Sequence, residues 1–139
     1  MGGRGSSSGA APAERTARLQ DIAGGIRTKS NEELLSSIQK LKPVAETARY
    51  DEFGNVITSQ VAETSAGKYR LQIGFSNDYD PRQVGTVRTP IKTSIEAYVW
   101  ENGHISTVRK LAETKTKSLK NASKNYQSVL ATWKKLIGK

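Results

Sequence analysis

The sequence predicts an α+β fold: an antiparallel sheet of four or five strands with a short N-terminal helix and a long C-terminal amphipathic helix. Three observations carry this expectation. Leu34, Leu35, Ile38 and Leu41 fall at helical spacing. The middle of the chain changes to strict alternation, clearest over residues 68–76, where Tyr69, Leu71, Ile73 and Phe75 interleave with Lys68, Arg70, Gln72 and Ser76. Near the end, Val108, Leu111, Leu119, Ala122, Tyr126, Val129, Trp133 and Leu136 recur in steps of three and four, the repeat of one helix face, with a gap at Lys115.

Residues 1–13 (MGGRGSSSGAAPA) hold nothing that can bury apolar surface, so the chain is expected to open with a disordered tail ahead of a single domain over residues 14–139. Residues 14–28 allow a short helix with Leu19, Ile22 and Ala23 on one side, closed by Gly24-Gly25. Ser30 with Glu33 three residues on makes a capping box for the next helix, and Pro43 stops it by about Leu41. Turn formers between Tyr50 and Val56 predict a hairpin whose second arm is residues 56–62, and Ala66-Gly67 predicts the next turn. Residues 77–91 read as a long loop with two prolines and a glycine. Residues 92–100 predict a strand with Ile95, Ala97 and Val99 on one side and Tyr98 and Trp100 on the other, and Asn102-Gly103 is a strong hairpin signal. The partner strand is expected to end near Lys110, with the switch to helix at about residues 111–113. Helices then cover one face of the sheet.

A chain of 139 residues suits one domain, and an apolar fraction of 35% points to a modest core. The absence of cysteine excludes disulfides and thiolate chemistry. No apolar run approaches the ~18 residues that a membrane span needs, and the N-terminus lacks the apolar stretch of a secretory signal. A cytoplasmic protein is the default. The net charge of +9 is unevenly placed. Residues 1–104 hold thirteen Lys/Arg and twelve Asp/Glu, whereas residues 105–139 hold nine Lys/Arg and one acid, Glu113. Such asymmetry points to a polyanionic partner: nucleic acid, an anionic membrane surface, or an acidic or nucleoprotein partner.

Catalytic and metal motifs are sparse. One histidine, no cysteine and no HExxH spacing argue against a metal site. Asn77-Asp78-Tyr79-Asp80 resembles the start of a calcium loop but continues into Pro81-Arg82 without the required glycine and distal glutamate. No GxSxG is present. No cofactor is expected. A metal-independent ribonuclease is the enzymatic alternative. It needs a base, an acid and cations on the phosphate, roles open to Glu96, His104 and Arg88, with Arg70 and Lys68 beside them. A hairpin centred on Asn102-Gly103 sets Glu96 several residues down the strand from His104.

The stronger signal is the basic helix. Lys117, Lys120, Lys124 and Lys135 project opposite the apolar stripe, and no acid follows Glu113. A merely solvated helix usually mixes signs, because Glu–Lys pairs one turn apart stabilise it. Lysines in the last turn suit the helix dipole, but Lys117, Lys120 and Lys124 lie too early for that. Lysine is a point charge rather than a fork that reads base edges, so the expected contact is with the phosphate backbone and tolerant of sequence. Arg82 and Arg88 in the long loop could add contacts. Tyr98 and Trp100 could stack bases on an open sheet face, though they are better expected in the core.

The opening Met1-Gly2-Gly3-Arg4-Gly5-Ser6-Ser7-Ser8-Gly9 resembles the start of many small proteins encoded in phage and prophage genomes, some of which carry nuclease domains of the barnase/EndoU/colicin-like group. The resemblance covers nine residues. It implies a mobile-element origin and a place in the host cytoplasm. The expectation is a non-enzymatic phage or mobile-element protein that binds nucleic acid or a nucleoprotein complex through Lys117, Lys120, Lys124 and Lys135. The alternatives are the ribonuclease, a host-directed inhibitor, or a virion component whose last helix packs on a second copy to form a homo-oligomer.

Overall fold

The computed structural model describes residues 12–50, 52, 56 and 59–138. It is α+β, with two N-terminal helices, α1 (Pro12–Gly25) and α2 (Asn31–Leu41), then five strands, β1 (Val44–Thr47), β2 (Gln60–Ala66), β3 (Tyr69–Asn77), β4 (Ile91–Glu101) and β5 (His104–Thr116), and a long C-terminal helix, α3 (Leu119–Leu136). The strands form one antiparallel meander in the order β1-β2-β3-β4-β5.

The punctuation of the first helices follows local chemistry. The Ser30 hydroxyl accepts from the Glu33 amide at 3.2 Å and donates to the Glu33 carboxylate at 3.3 Å, which satisfies an orphan donor at the start of α2. Lys42 closes α2 at a φ of 52°, and Pro43 prevents continuation. α1 begins at Pro12, inside the stretch expected to be tail. Proline suits the first helical turn, where its missing N–H is no loss. The rest of the expected tail, residues 1–11, lies outside the described residues.

All three helices pack on one face of the sheet, α1 against β2 and β3, α2 against β5, and α3 against β3, β4 and β5. The core between the layers holds Ile22, Leu34 and Ile38 from the N-terminal helices, Leu71, Ile73, Phe75, Ile95 and Ala97 from the sheet, and Tyr126 and Trp133 from α3. The other sheet face carries no helix among the described residues.

Two expectations need correction. β5 does not end near Lys110 but continues to Thr116, pairing with β4 as far as Ile91. Thr114 and Thr116 are β-branched and favour a pleated surface, and nothing caps a helix before Ser118. Val108 and Leu111 therefore belong to a strand, and the apolar stripe of α3 is shorter than its spacing suggested. The second arm of the early hairpin also starts later, at Gln60, and runs to Ala66. At the hairpin itself a single bridge joins Tyr50 and Val56. Most of the turn lies outside the described residues.

The long loop over residues 78–90 is tethered at its start. Asn77, 4% exposed, donates to the carbonyls of Val56 at 3.3 Å and Tyr79 at 2.9 Å, and accepts from the Thr93 hydroxyl at 2.7 Å and the Tyr79 amide at 3.0 Å. This joins loop, β3 and β4 through one amide and explains Asn77 without a cation. Asn77→Ala leaves those buried groups without their partner, and is expected to cost about 1–3 kcal/mol, measurable as a lower midpoint in chemical denaturation.

Candidate nucleic-acid interface

The orientation of α3 is set from both ends of its sequence pattern. The Ser118 hydroxyl caps the helix by accepting from the Asn121 amide at 3.2 Å, and Thr116 holds Ser118 by accepting its amide at 3.1 Å. Ala122, Tyr126, Val129, Trp133 and Leu136 face the core. The Phe75 ring packs between those of Tyr126, at 6.3 Å, and Trp133, at 6.0 Å, and Tyr79 from the loop adds a further ring 5.7 Å from Tyr126. Tilted aromatic pairs of this kind resist rotation of the helix about its axis.

With the inner face fixed, the outer face follows at 100° per residue. Lys120, Lys124, Gln127, Ala131, Lys134 and Lys135 are all exposed and fall on one stripe. At 1.5 Å rise per residue the lysines span about 22 Å. Lys117 lies exposed just ahead of the cap. α3 contains no acid. Among the described residues none of these lysines takes part in an ion pair; the pairs present all lie on other elements. Lys135 lines a groove of about 290 Å³ between α2 and α3 together with Glu32.

The two loop arginines differ in their surroundings. Arg82 holds Asp80 through Nε at 3.0 Å and Nη2 at 3.1 Å, and this guanidinium keeps the Asp80 carboxyl below its ordinary range. Arg88 is exposed on the same loop.

The open sheet face is a second surface of different character. Tyr98 and Trp100 point there, whereas Ile95, Ala97 and Val99 face the helices. The expectation that the two aromatics join the core is therefore corrected: the core side of β4 was already filled by the alternate residues. The signal was the alternation itself, with Lys92 and Glu96 sharing the side of Tyr98 and Trp100. Arg70 stacks over the Trp100 ring, 4.6 Å from its centroid, and pairs with Glu63 at 2.8 Å. Next to them is a groove of about 350 Å³ bordered by Val61, Gln72, Gly74, Glu96 and Tyr98. Gly74 leaves it open: a Cβ atom there would project into empty space, with nothing within 4 Å. The Tyr98 hydroxyl donates to Glu96 at 3.2 Å, and burial, then the Glu96 charge, pushes the phenol above its ordinary range. Three cations here have acidic partners, Arg70 with Glu63, Lys110 with Glu113 at 2.8 Å, and Lys68 with Glu101 at 3.7 Å, whereas Lys92 and Lys115, paired across β4 and β5, form no ion pair among the described residues.

The ribonuclease residues are dispersed. Glu96 lines the groove, but His104 sits at the hairpin tip opposite Glu101. Five residues of β4 separate Glu96 from that position, about 17 Å at ~3.4 Å per residue, far beyond the reach of a shared reacting group. Arg88 is on the loop and makes no contact with either. Among the described residues no cluster of His, Cys, Asp or Glu could hold a metal ion, and no helix is long and apolar enough to cross a membrane.

No protein-family model, no curated protein and no solved structure matches this chain.

Proposed function

We propose that the protein binds nucleic acid through the lysine ridge of α3, as a non-enzymatic phage or mobile-element protein acting on nucleic acid or a nucleoprotein complex. The observation that carries this reading is that Lys117, Lys120 and Lys124 are exposed and without ion pairs among the described residues, on and beside a helix that contains no acid. A helix selected only for solubility gains from i,i+4 pairs of opposite sign, and none is built here. The ridge meets phosphates as a row of point charges, so contact is with the backbone, indifferent to base sequence and steeply dependent on salt.

Binding is favoured over cleavage because Glu96 and His104 lie far apart, and the ridge is on the opposite side of the sheet from Glu96. The experiment is a titration of labelled single- and double-stranded oligonucleotides, DNA and RNA, with chelator present. Affinity is expected to fall roughly 100-fold between 50 and 200 mM salt if about four phosphates are neutralised, with RNA recovered uncut. Absence of binding at low salt refutes the proposal, and cleavage of RNA in chelator restores the ribonuclease.

A further inference from the structure

β5 ends the sheet. It is 13 residues long and, among the described residues, no strand pairs with its outer side. Long edge strands invite pairing unless something blocks them. The start of this one is blocked: Arg27 from the α1–α2 connection reaches the Ser106 carbonyl at 3.4 Å. Beyond it the Arg109 side chain donates to the Ile26 carbonyl at 2.8 Å and to Asn31 at 2.9 Å, but among the described residues no further backbone bond is made at the outer edge of residues 107–116.

That stretch contains a bulge. The pairing with β4 slips between Ile95, opposite Ala112, and Glu96, opposite Lys110. Leu111 and Ala112 consequently both face the helices. Before them, Thr107 and Arg109 face the helices while Val108 and Lys110 face the open side. After them, Thr114 and Thr116 face the helices while Glu113 and Lys115 face the open side. Read outward from the Leu111–Ala112 bond, the order of faces is the same in both directions.

A regular strand laid across a bulge changes face relative to its partner halfway along. A second copy of β5, antiparallel and matched at the same bond, carries the same irregularity at the same place and keeps every face consistent from end to end. In that register Lys110 lies opposite Glu113 of the second copy, and the reverse, so the ion pair that each copy makes within itself at 2.8 Å gains a symmetry-related pair across the seam. Val108, half exposed at 50%, lies opposite the aliphatic stem of Lys115. A register centred on Lys110 fails on both counts: it sets Lys110 against itself, and Val108 against an alanine on the opposite face.

We propose that two copies of this chain associate through residues 107–116 of β5, antiparallel about the Leu111–Ala112 bond, to form one continuous ten-stranded sheet. The two-fold axis runs perpendicular to the sheet. Both α3 ridges then lie on one side and both open faces on the other. The interface is short and polar, so the dimer forms in the micromolar range rather than below it. The proposal does not depend on the nucleic-acid reading.

Sedimentation of the full chain in 0.15 M salt is expected to show the 15.2 kDa monomer giving way to a species of twice that mass between about 1 and 200 μM. Lys110→Glu places like charges opposite each other twice and is expected to raise the dissociation constant about tenfold or more, and Lys110→Glu with Glu113→Lys is expected to restore it. The chain has no cysteine, so Val108→Cys with Lys115→Cys gives a clean crosslink. Within one copy these positions lie about 24 Å apart along the strand, too far for a disulfide, so oxidation is expected to yield a covalent dimer from the double variant and none from either single one. A chain that stays monomeric at 200 μM, a charge swap that fails to restore association, or a double variant that does not crosslink overturns the proposal.

Discussion

Lys120→Glu combined with Lys124→Glu is expected to weaken oligonucleotide binding on the order of 100-fold at low salt, with the fold intact. Each substitution removes an attraction to phosphate and adds a repulsion. At about 4 Å in water each interaction is worth about 1 kcal/mol, so the pair of reversals changes binding by roughly 2–4 kcal/mol, and every 1.4 kcal/mol is about tenfold. Both side chains are exposed and unpaired among the described residues, so far-ultraviolet circular dichroism should be unchanged. The slope of log affinity against log salt should fall by about 2, one for each lost phosphate contact. An unchanged slope would place the contact elsewhere.

Trp133→Ala carries the largest expected effect on stability. Trp133 is 0% exposed and packs 6.0 Å from the Phe75 ring, where α3 meets the middle of the sheet. Truncation leaves a cavity that a close-packed core refills only in part, at a cost of about 3–5 kcal/mol. Domains of this kind are commonly stable by only about 5–15 kcal/mol, so chemical denaturation should show a midpoint displaced far toward the unfolded side. The indole N–H has no hydrogen-bond partner among the described residues. Trp133→Phe, which removes that buried donor along with some volume, should therefore lose much less than Trp133→Ala. Equal losses would mean the N–H is satisfied and holds α3 in place. Because the same residue fixes the rotation of the helix, Trp133→Ala should also blur the ridge and weaken binding modestly.

How much of this was legible beforehand differs from element to element. The capping box at Ser30 and Glu33, the stop at Pro43 and the Asn102-Gly103 turn are local devices, complete within a few residues, and the structure repeats them. The sheet's one covered face was readable from the alternation around Leu71, Ile73 and Phe75. The junction of β5 and α3 was not. Val108 and Leu111 satisfy a helical repeat and a strand equally well, and what decides between them is tertiary, namely the availability of Ile91–Ile95 as a pairing partner for residues 112–116. The side taken by Tyr98 and Trp100 failed for a related reason. Size and aromaticity suggested burial, but a sheet with helices on a single face has room for only one set of alternate residues, and Ile95, Ala97 and Val99 already occupied it. The lysine ridge, by contrast, could be read from sequence because helical periodicity alone separates Lys120 and Lys124 from Tyr126 and Trp133. What required the structure was the knowledge that, among the described residues, no acid on another element pairs with them.

The most direct test compares the salt dependence of oligonucleotide binding for the unaltered chain, for Lys120→Glu with Lys124→Glu, and for Lys68→Glu with Lys92→Glu, which makes the same change in net charge on the sheet, at the β2–β3 turn and on β4. The slope is expected to fall by about 2 for the helix variant and to stay nearly unchanged for the sheet variant. Equal losses in the two variants would mean that net charge alone drives binding and that the ridge is not the site.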